Sequence, residues 1–410
     1  MSRVRTTAPS VLVSVVVLMA LGGPVACAQD AGGGAERSSR LTLGFAVDTT
    51  VTPESWWGVD PALAVRAEVV RLWRDYLAVR QDSTRRVAFW SAADRERAPD
   101  PDLALASASY IADADAVLIE ALPLVAGDSS RWVLRTVYTS GGTIARPGLL
   151  AMERMHVVHE GGRWVLAHPG VVETAGWRRE RVGQIDYVVH PALGFDTRRA
   201  QETARWLDAT AHRFGVSDAR RITYYLVPDV QAALQLTGLE WAISADRSGG
   251  RANPRARIVF AADPRFGEAY LHELTHVLLA PWLGDASAFV GEGIAYWLGG
   301  ARGQTFPTMM QDLATFLARQ PGLELRAVLE ENGSGPIGSA RLPAAAAVFE
   351  LAHRRGGDAA VRRLVEETRA GQPGIEAVAG ALGLTPPELE SDWRALVLSF
   401  GDSAGRPTSP

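Results

Sequence analysis

The chain has 410 residues, 47% apolar and 21% charged, with 40 Gly, 23 Pro and a single Cys, a profile that excludes collagen-like, disulfide-scaffold and wholly disordered proteins. All 42 basic residues are Arg, which excludes lysine Schiff-base chemistry and phosphate loops built on a lysine. A net charge of -4 offers no general electrostatic reason to bind nucleic acid, and none is expected as a partner.

At the N-terminus, Arg3 and Arg5 precede an uncharged apolar run over 11–21, then Gly22, Gly23, Pro24 and Ala26-Cys27-Ala28. A positive start, an apolar core too short for a stable anchor and small residues at its end predict an export signal over 1–28 and an extracytoplasmic location, periplasmic or extracellular. Two processing outcomes stay open. Ala26 and Ala28 suit ordinary cleavage, whereas Val25-Ala26-Cys27 resembles a lipobox whose lipidated Cys27 would attach the protein to the membrane, although Pro24 stands where such a box usually has Leu. In both cases the mature chain has no free thiol and no disulfide, so a Cys-based active site is excluded. Residues 29–54 read as a flexible linker and a first strand, and 401–410 as a polar tail.

Over 61–80, Val65, Val69, Leu72, Trp73 and Tyr76 recur at helical spacing, with Asp60 and Pro61 at the helix start. A loop-rich, partly helical section follows. Residues 132–138 and 154–158 favour strands, and Gly161-Gly162 turns the chain into 163–168, giving a β-hairpin. The expectation is an α+β accessory domain over 55–175, with a curved sheet wrapping a helix. This order and the Trp73-Arg74-Asp75-Tyr76-Leu77 segment resemble the cone-shaped fold of ketosteroid isomerase and SnoaL-like proteins. Its tryptophans, including Trp56, Trp57, Trp73, Trp90 and Trp132, are expected to fill the core. A boundary is expected at 174–183, where Gly176, Arg178, Arg179 and Arg181 interrupt the apolar pattern. Beyond it, strands over 184–189 and 221–227 flank a helix over 197–214. A third strand lies at 257–260, and nearly everything after 263 is helical.

The chemistry concentrates in His272-Glu273-Leu274-Thr275-His276, placed on a helix predicted over 264–280 and bounded by Pro281. Two His four residues apart share a helix face, so both imidazoles reach one ion, while Glu273, about 100° around the helix from His272, flanks it where a general base must stand. A catalytic zinc needs a third protein ligand and an open fourth position. The continuation that would place a third His at position 282 is excluded by Leu279 and Trp282. Glu292, in Gly291-Glu292-Gly293 at the start of a second amphipathic helix, completes a His-His-Glu set, the two Gly allowing close helix approach; Asp285 and Glu268 are rivals. Glu268 and Asp285 are also candidates to orient the ligating His residues. Tyr296 and His353, the latter on a helix predicted over 343–355, are candidate donors to the oxyanion. His156 and His159 are separated by an odd number of positions and point to opposite sheet faces, so a second metal site there is not expected.

His-Glu-x-x-His followed by Gly-Glu-Gly-x-Ala resembles the gluzincins, especially the peptidase MA-like family, over 183–400. That resemblance implies a mainly helical zincin-like domain with a small sheet. It also implies one Zn2+ held by His272, His276 and Glu292, Glu273 as the water-activating base, and a peptide or protein substrate. Two departures stand out: a short interval between His276 and Glu292, and a late helix with no Tyr over 345–349.

Overall fold

The computed structural model describes residues 62–98, 100–105, 115–125, 128–140, 148–217, 220–242, 249–284, 286–330, 338–369 and 373–403. The export signal, the linker with its first strand, Trp56, Trp57 and Asp285 lie outside these residues. The fold is α+β, with two five-stranded sheets.

Helix α1 (Ala62–Val79) buries Val69, Trp73, Tyr76 and Leu77, a stripe set by the helical repeat. The stripe packs on one face of an antiparallel sheet formed by β1 (Asp115–Val125), β2 (Asp128–Ser140), β3 (Gly148–Glu160) and β4 (Arg163–Ala167). Period-2 alternation along β2 sends Trp132 and Leu134 into this core, where Trp73 and Trp90 are also buried, as expected, while Tyr138 is buried in a neighbouring cluster with Leu234 and Leu239. Inside it the Tyr76 hydroxyl and the Trp90 indole N–H both donate to Asp102, at 2.8 and 2.7 Å, so these buried polar groups stay paired.

β1 corrects the reading of the section before 132 as loop-rich and partly helical. Short helices do occur there (Ser83–Arg86 and Ala92–Arg97), but β1 is an eleven-residue strand. Its alternation was obscured because Val117, Ile119, Leu122 and Leu124 face solvent while the small Ala121 faces inward, and two register shifts interrupt the repeat.

The expected boundary segment contains β5 (Arg178–Val182), which pairs with β6 (Ile185–Val189) across a turn at Gly183, φ +55. An edge strand facing water needs no apolar alternation. Arg178 and Arg181 are held by Glu180 and Asp186, each at 2.9 Å. The second sheet runs β5-β6-β7-β10-β9, with β7 Ile222–Leu226, β9 Gly250–Asn253 and β10 Ile258–Ala261; its three central strands are parallel. Helix α2 (Thr197–Phe214) links β6 to β7, started by the Asp196 side chain accepting from the Arg199 N–H and ended by Gly215 in the left-handed region. One face of this sheet (Tyr187, Tyr224, Val259) packs on the helical body and the other (Val188, Tyr225, Phe260) on α3 (Val230–Leu236). After α3, β8 (Leu239–Ala242) returns to the first sheet and pairs with β3 beside β4.

The helical body comprises α4 (Leu271–Leu283), α5 (Ala288–Gly299), α6 (Phe306–Arg319), α7 (Leu325–Glu330), α8 (Gly338–Thr368), α9 (Ile375–Ala381) and α10 (Pro386–Ser403). Helix α8 bends at Gly356 and Gly357, so the helix expected over 343–355 ends at that kink. Among the described residues no helix is long and apolar enough to cross a membrane.

Helix α4 differs from expectation at both ends. It starts at Leu271, because 263–268 form a turn around Gly267 at φ +49, and it runs past Pro281 to Leu283. Pro281 lacks the N–H that would bond the carbonyl of Val277, and the buried Arg257 guanidinium donates to that carbonyl instead, at 3.4 Å. Arg257→Ala is expected to lower stability by about 2 kcal/mol, the scale for a buried hydrogen bond from a charged donor. Urea unfolding checks this, and a change below about 0.5 kcal/mol would contradict it.

Candidate metal centre

The first two turns of α4 carry His272, Glu273 and His276, and α5, capped by the Ser287 side chain accepting from the Val290 N–H, carries Glu292. The two Nε2 atoms lie 3.2 Å apart; Glu292 Oε2 is 3.4 Å from the first and Oε1 3.5 Å from the second. Donors bound to zinc at about 2.0–2.1 Å in a tetrahedron stand about 3.3 Å from one another. The separation of the two Nε2 atoms matches that edge, each Nε2 has a Glu292 oxygen at a similar distance, and two imidazoles with one carboxylate are a donor set suited to zinc, so the residues fit the ion. Among the described residues, this is the one group of His, Cys, Asp and Glu side chains gathered closely enough to hold a metal. His272 and Glu273 are buried, whereas Glu292 keeps 30% of its side chain exposed, which places the rim of the cluster on the α5 side.

The charges of the three side chains act on one another. Burial disfavours the charged form of His272, but its hydrogen bond to Glu292 and the negative charges of Glu273 and Glu292 outweigh this and raise it to about 9. Burial drives His276 down to about 4, with Glu292 opposing and His272 assisting. Burial pushes Glu292 upward, yet the adjacent His276 and His272 bring it down to about 2. These directions favour a positive charge at His272 and disfavour one at His276.

Other candidates fall elsewhere. Glu268, a rival ligand and candidate orienting group, is buried and accepts from the Asp196 backbone N–H at 2.7 Å. The partner of His272 Nδ1 is instead the Gly300 carbonyl, at 2.8 Å, directly after α5. A carbonyl only accepts, so Nδ1 carries the proton and a neutral His272 presents its Nε2 lone pair to the cluster. Tyr296 packs edge-on against His272, ring centroids 5.1 Å apart. His353 contacts Arg213, Asp358 and Trp297, with Asp358 at 3.2 Å. In the first sheet His156 is buried against Glu173 and His159 is exposed beside Trp164, on opposite faces.

The glycines flanking Glu292 are not equivalent. A Cβ at Gly293 would stand 2.7 Å from Phe349 and 3.2 Å from Ala345 of α8, whereas one at Gly291 meets nothing within 4 Å, so Gly293 seats α5 on α8 and neither glycine makes the approach to α4. Gly293→Ala is expected to cost about 1–3 kcal/mol by overpacking. Gly291→Ala should be neutral or stabilise by up to about 1 kcal/mol through helix propensity. Thermal unfolding of the two variants checks the contrast, and equal melting temperatures would contradict it.

No family model matches the sequence, and no curated protein matches it. Among solved structures the chain is similar to a mutant of a two-domain M1 zinc metallopeptidase bound to L-tryptophan, at 15% identity and a TM-score of 0.33, over 72% of this chain. The chain spans 65% of the length of that structure.

Proposed function

We propose that this protein is a zinc-dependent hydrolase of gluzincin type that cleaves peptide bonds, with His272, His276 and Glu292 as metal ligands and Glu273 as general base. The observation that carries the reading is the convergence of His272, His276 and Glu292 from two helices: the two Nε2 atoms lie 3.2 Å apart, and each has one oxygen of the Glu292 carboxylate within 3.5 Å. A zinc ion held there would supply Lewis acidity and acidify a water molecule. The chain's own residues do the rest. The Gly300 carbonyl fixes the His272 tautomer, the Glu292 carboxylate balances the cation, and the Glu273 carboxylate takes the proton of the attacking water and delivers it to the departing amine nitrogen. Cleavage of an unstructured protein by the full chain tests this. Hydrolysis should stop with a chelator and return with added zinc; hydrolysis indifferent to chelation would refute the reading. Export through residues 1–28, with Cys27 as the point of lipid attachment or with ordinary cleavage, belongs to the same proposal, with 55–175 as the accessory domain.

The raised pKa of His272 sets the direction of pH dependence. Zinc competes with a proton that leaves at about 9, so apparent affinity should rise roughly tenfold per pH unit from 7 and flatten above about 9. Chelator competition across that range measures it, and a pH-independent affinity would contradict it.

A further inference from the structure

Helix α5 does more than deliver Glu292. Glu292 and Tyr296 lie one turn apart on one face of α5, Gly300 follows directly after its end, and all three contact the same imidazole. Glu292 Oε2 is 3.4 Å from Nε2, the Tyr296 ring stands edge-on to the imidazole at 5.1 Å and 81°, and the Gly300 carbonyl takes Nδ1–H at 2.8 Å. The approach is close enough that a Cβ at Gly299 would fall on the backbone of Leu271 and His272. Gly300 itself sits at φ 68, ψ -160, and a Cβ there would fall on the Gln304 carbonyl. Both positions therefore exclude side chains, and the helix end is seated directly on the start of α4.

We propose that the Glu292 and Tyr296 face of α5, together with the Gly299–Gly300 corner at its end, is a cradle that holds His272 in the orientation in which Nε2 serves the metal centre. Tyr296, through its ring, and the Gly299–Gly300 corner are positioning residues. The inference rests on the metal-binding reading above and deepens it. Residues that merely stabilise the fold would leave metal affinity and ligand geometry alone, whereas loss of an outer partner of a ligating His typically weakens metal binding about 10- to 100-fold.

The test uses the full chain, zinc affinity by competition with a chromophoric chelator, and the visible spectrum of the cobalt(II)-loaded protein. Tyr296→Leu and Gly299→Ala are expected to weaken zinc binding about tenfold or more and to alter the cobalt bands while circular dichroism is unchanged. Tyr296→Phe, which keeps the ring, should bind zinc within about twofold of wild type. Wild-type affinity and spectra in both Tyr296→Leu and Gly299→Ala would overturn the cradle and leave the metal centre standing. A Tyr296→Phe defect as large as that of Tyr296→Leu would overturn the role given to the ring. Wild type that takes up neither zinc nor cobalt would overturn the metal reading, and the cradle with it. Should Gly299→Ala fail to fold, imidazole 15N resonances of zinc-loaded wild type decide without a variant. The cradle requires a protonated Nδ1 and a metal-bound Nε2 on His272, and ligation through Nδ1 would overturn it.

Discussion

Glu273→Gln is expected to retain a full complement of zinc while losing hydrolysis by about 10²–10⁴-fold in kcat, the usual worth of a positioned general base. The amide has nearly the shape of the carboxylate, and Glu273 is not a member of the His272, His276 and Glu292 group, so the metal centre should survive the change. What disappears is the proton acceptor. The substitution also removes one of the two negative charges that raise His272, so the metal-free variant should release its His272 proton at lower pH than wild type. Kinetics on an unstructured protein, with zinc quantified in the same samples, separate the two effects. A variant that keeps more than about a third of wild-type kcat would move the base elsewhere.

Glu292→Ala should lose zinc itself. Structural zinc in small domains is held with about 10–16 kcal/mol shared among four ligands, so one ligand is worth about 2.5–4 kcal/mol, or about two to three decades of affinity. The same substitution removes the partner that holds the His272 proton, and the pKa near 9 should fall with it. Glu268→Gln is the matched comparison: that carboxylate is occupied with the Asp196 backbone N–H, so zinc affinity should stay within a few-fold of wild type. Equilibrium dialysis reports both. Unchanged zinc binding in Glu292→Ala, or a Glu268→Gln loss of similar size, would assign the third ligand wrongly.

Much of this architecture was legible wherever local signals and tertiary packing agree. The 197–214 helix was read to its ends because Asp196 caps one and Gly215 the other. Helix α4 was placed seven residues too early because its true N-cap, Tyr270, makes no side-chain capping bond, while Pro264 imitates a first-turn proline in what is a turn. Its continuation past Pro281 depends on Arg257, twenty residues before Val277 and unreadable as a partner from spacing. Strand β5 interrupts the apolar pattern because an edge strand facing water can be almost all Arg and Glu.

The centre shows the same division. His272, His276 and Glu292 converge as the motif suggested, because helical spacing brings the two His together and one close helix crossing brings Glu292. The partner of His272 Nδ1 is no carboxylate but the backbone carbonyl of Gly300, which no side chain announces. The usable signal was the Gly299-Gly300 pair ending α5, since adjacent glycines after an apolar helix mark a place where backbone meets backbone.

Zinc-edge X-ray absorption on the purified full chain tests the central claim most directly. One zinc per chain is expected, four-coordinate, with two imidazole nitrogens and oxygen donors at about 2.0–2.1 Å. The imidazole signature should halve in His276→Ala. Absence of stoichiometric zinc, or a shell of oxygens without imidazole, would contradict the account.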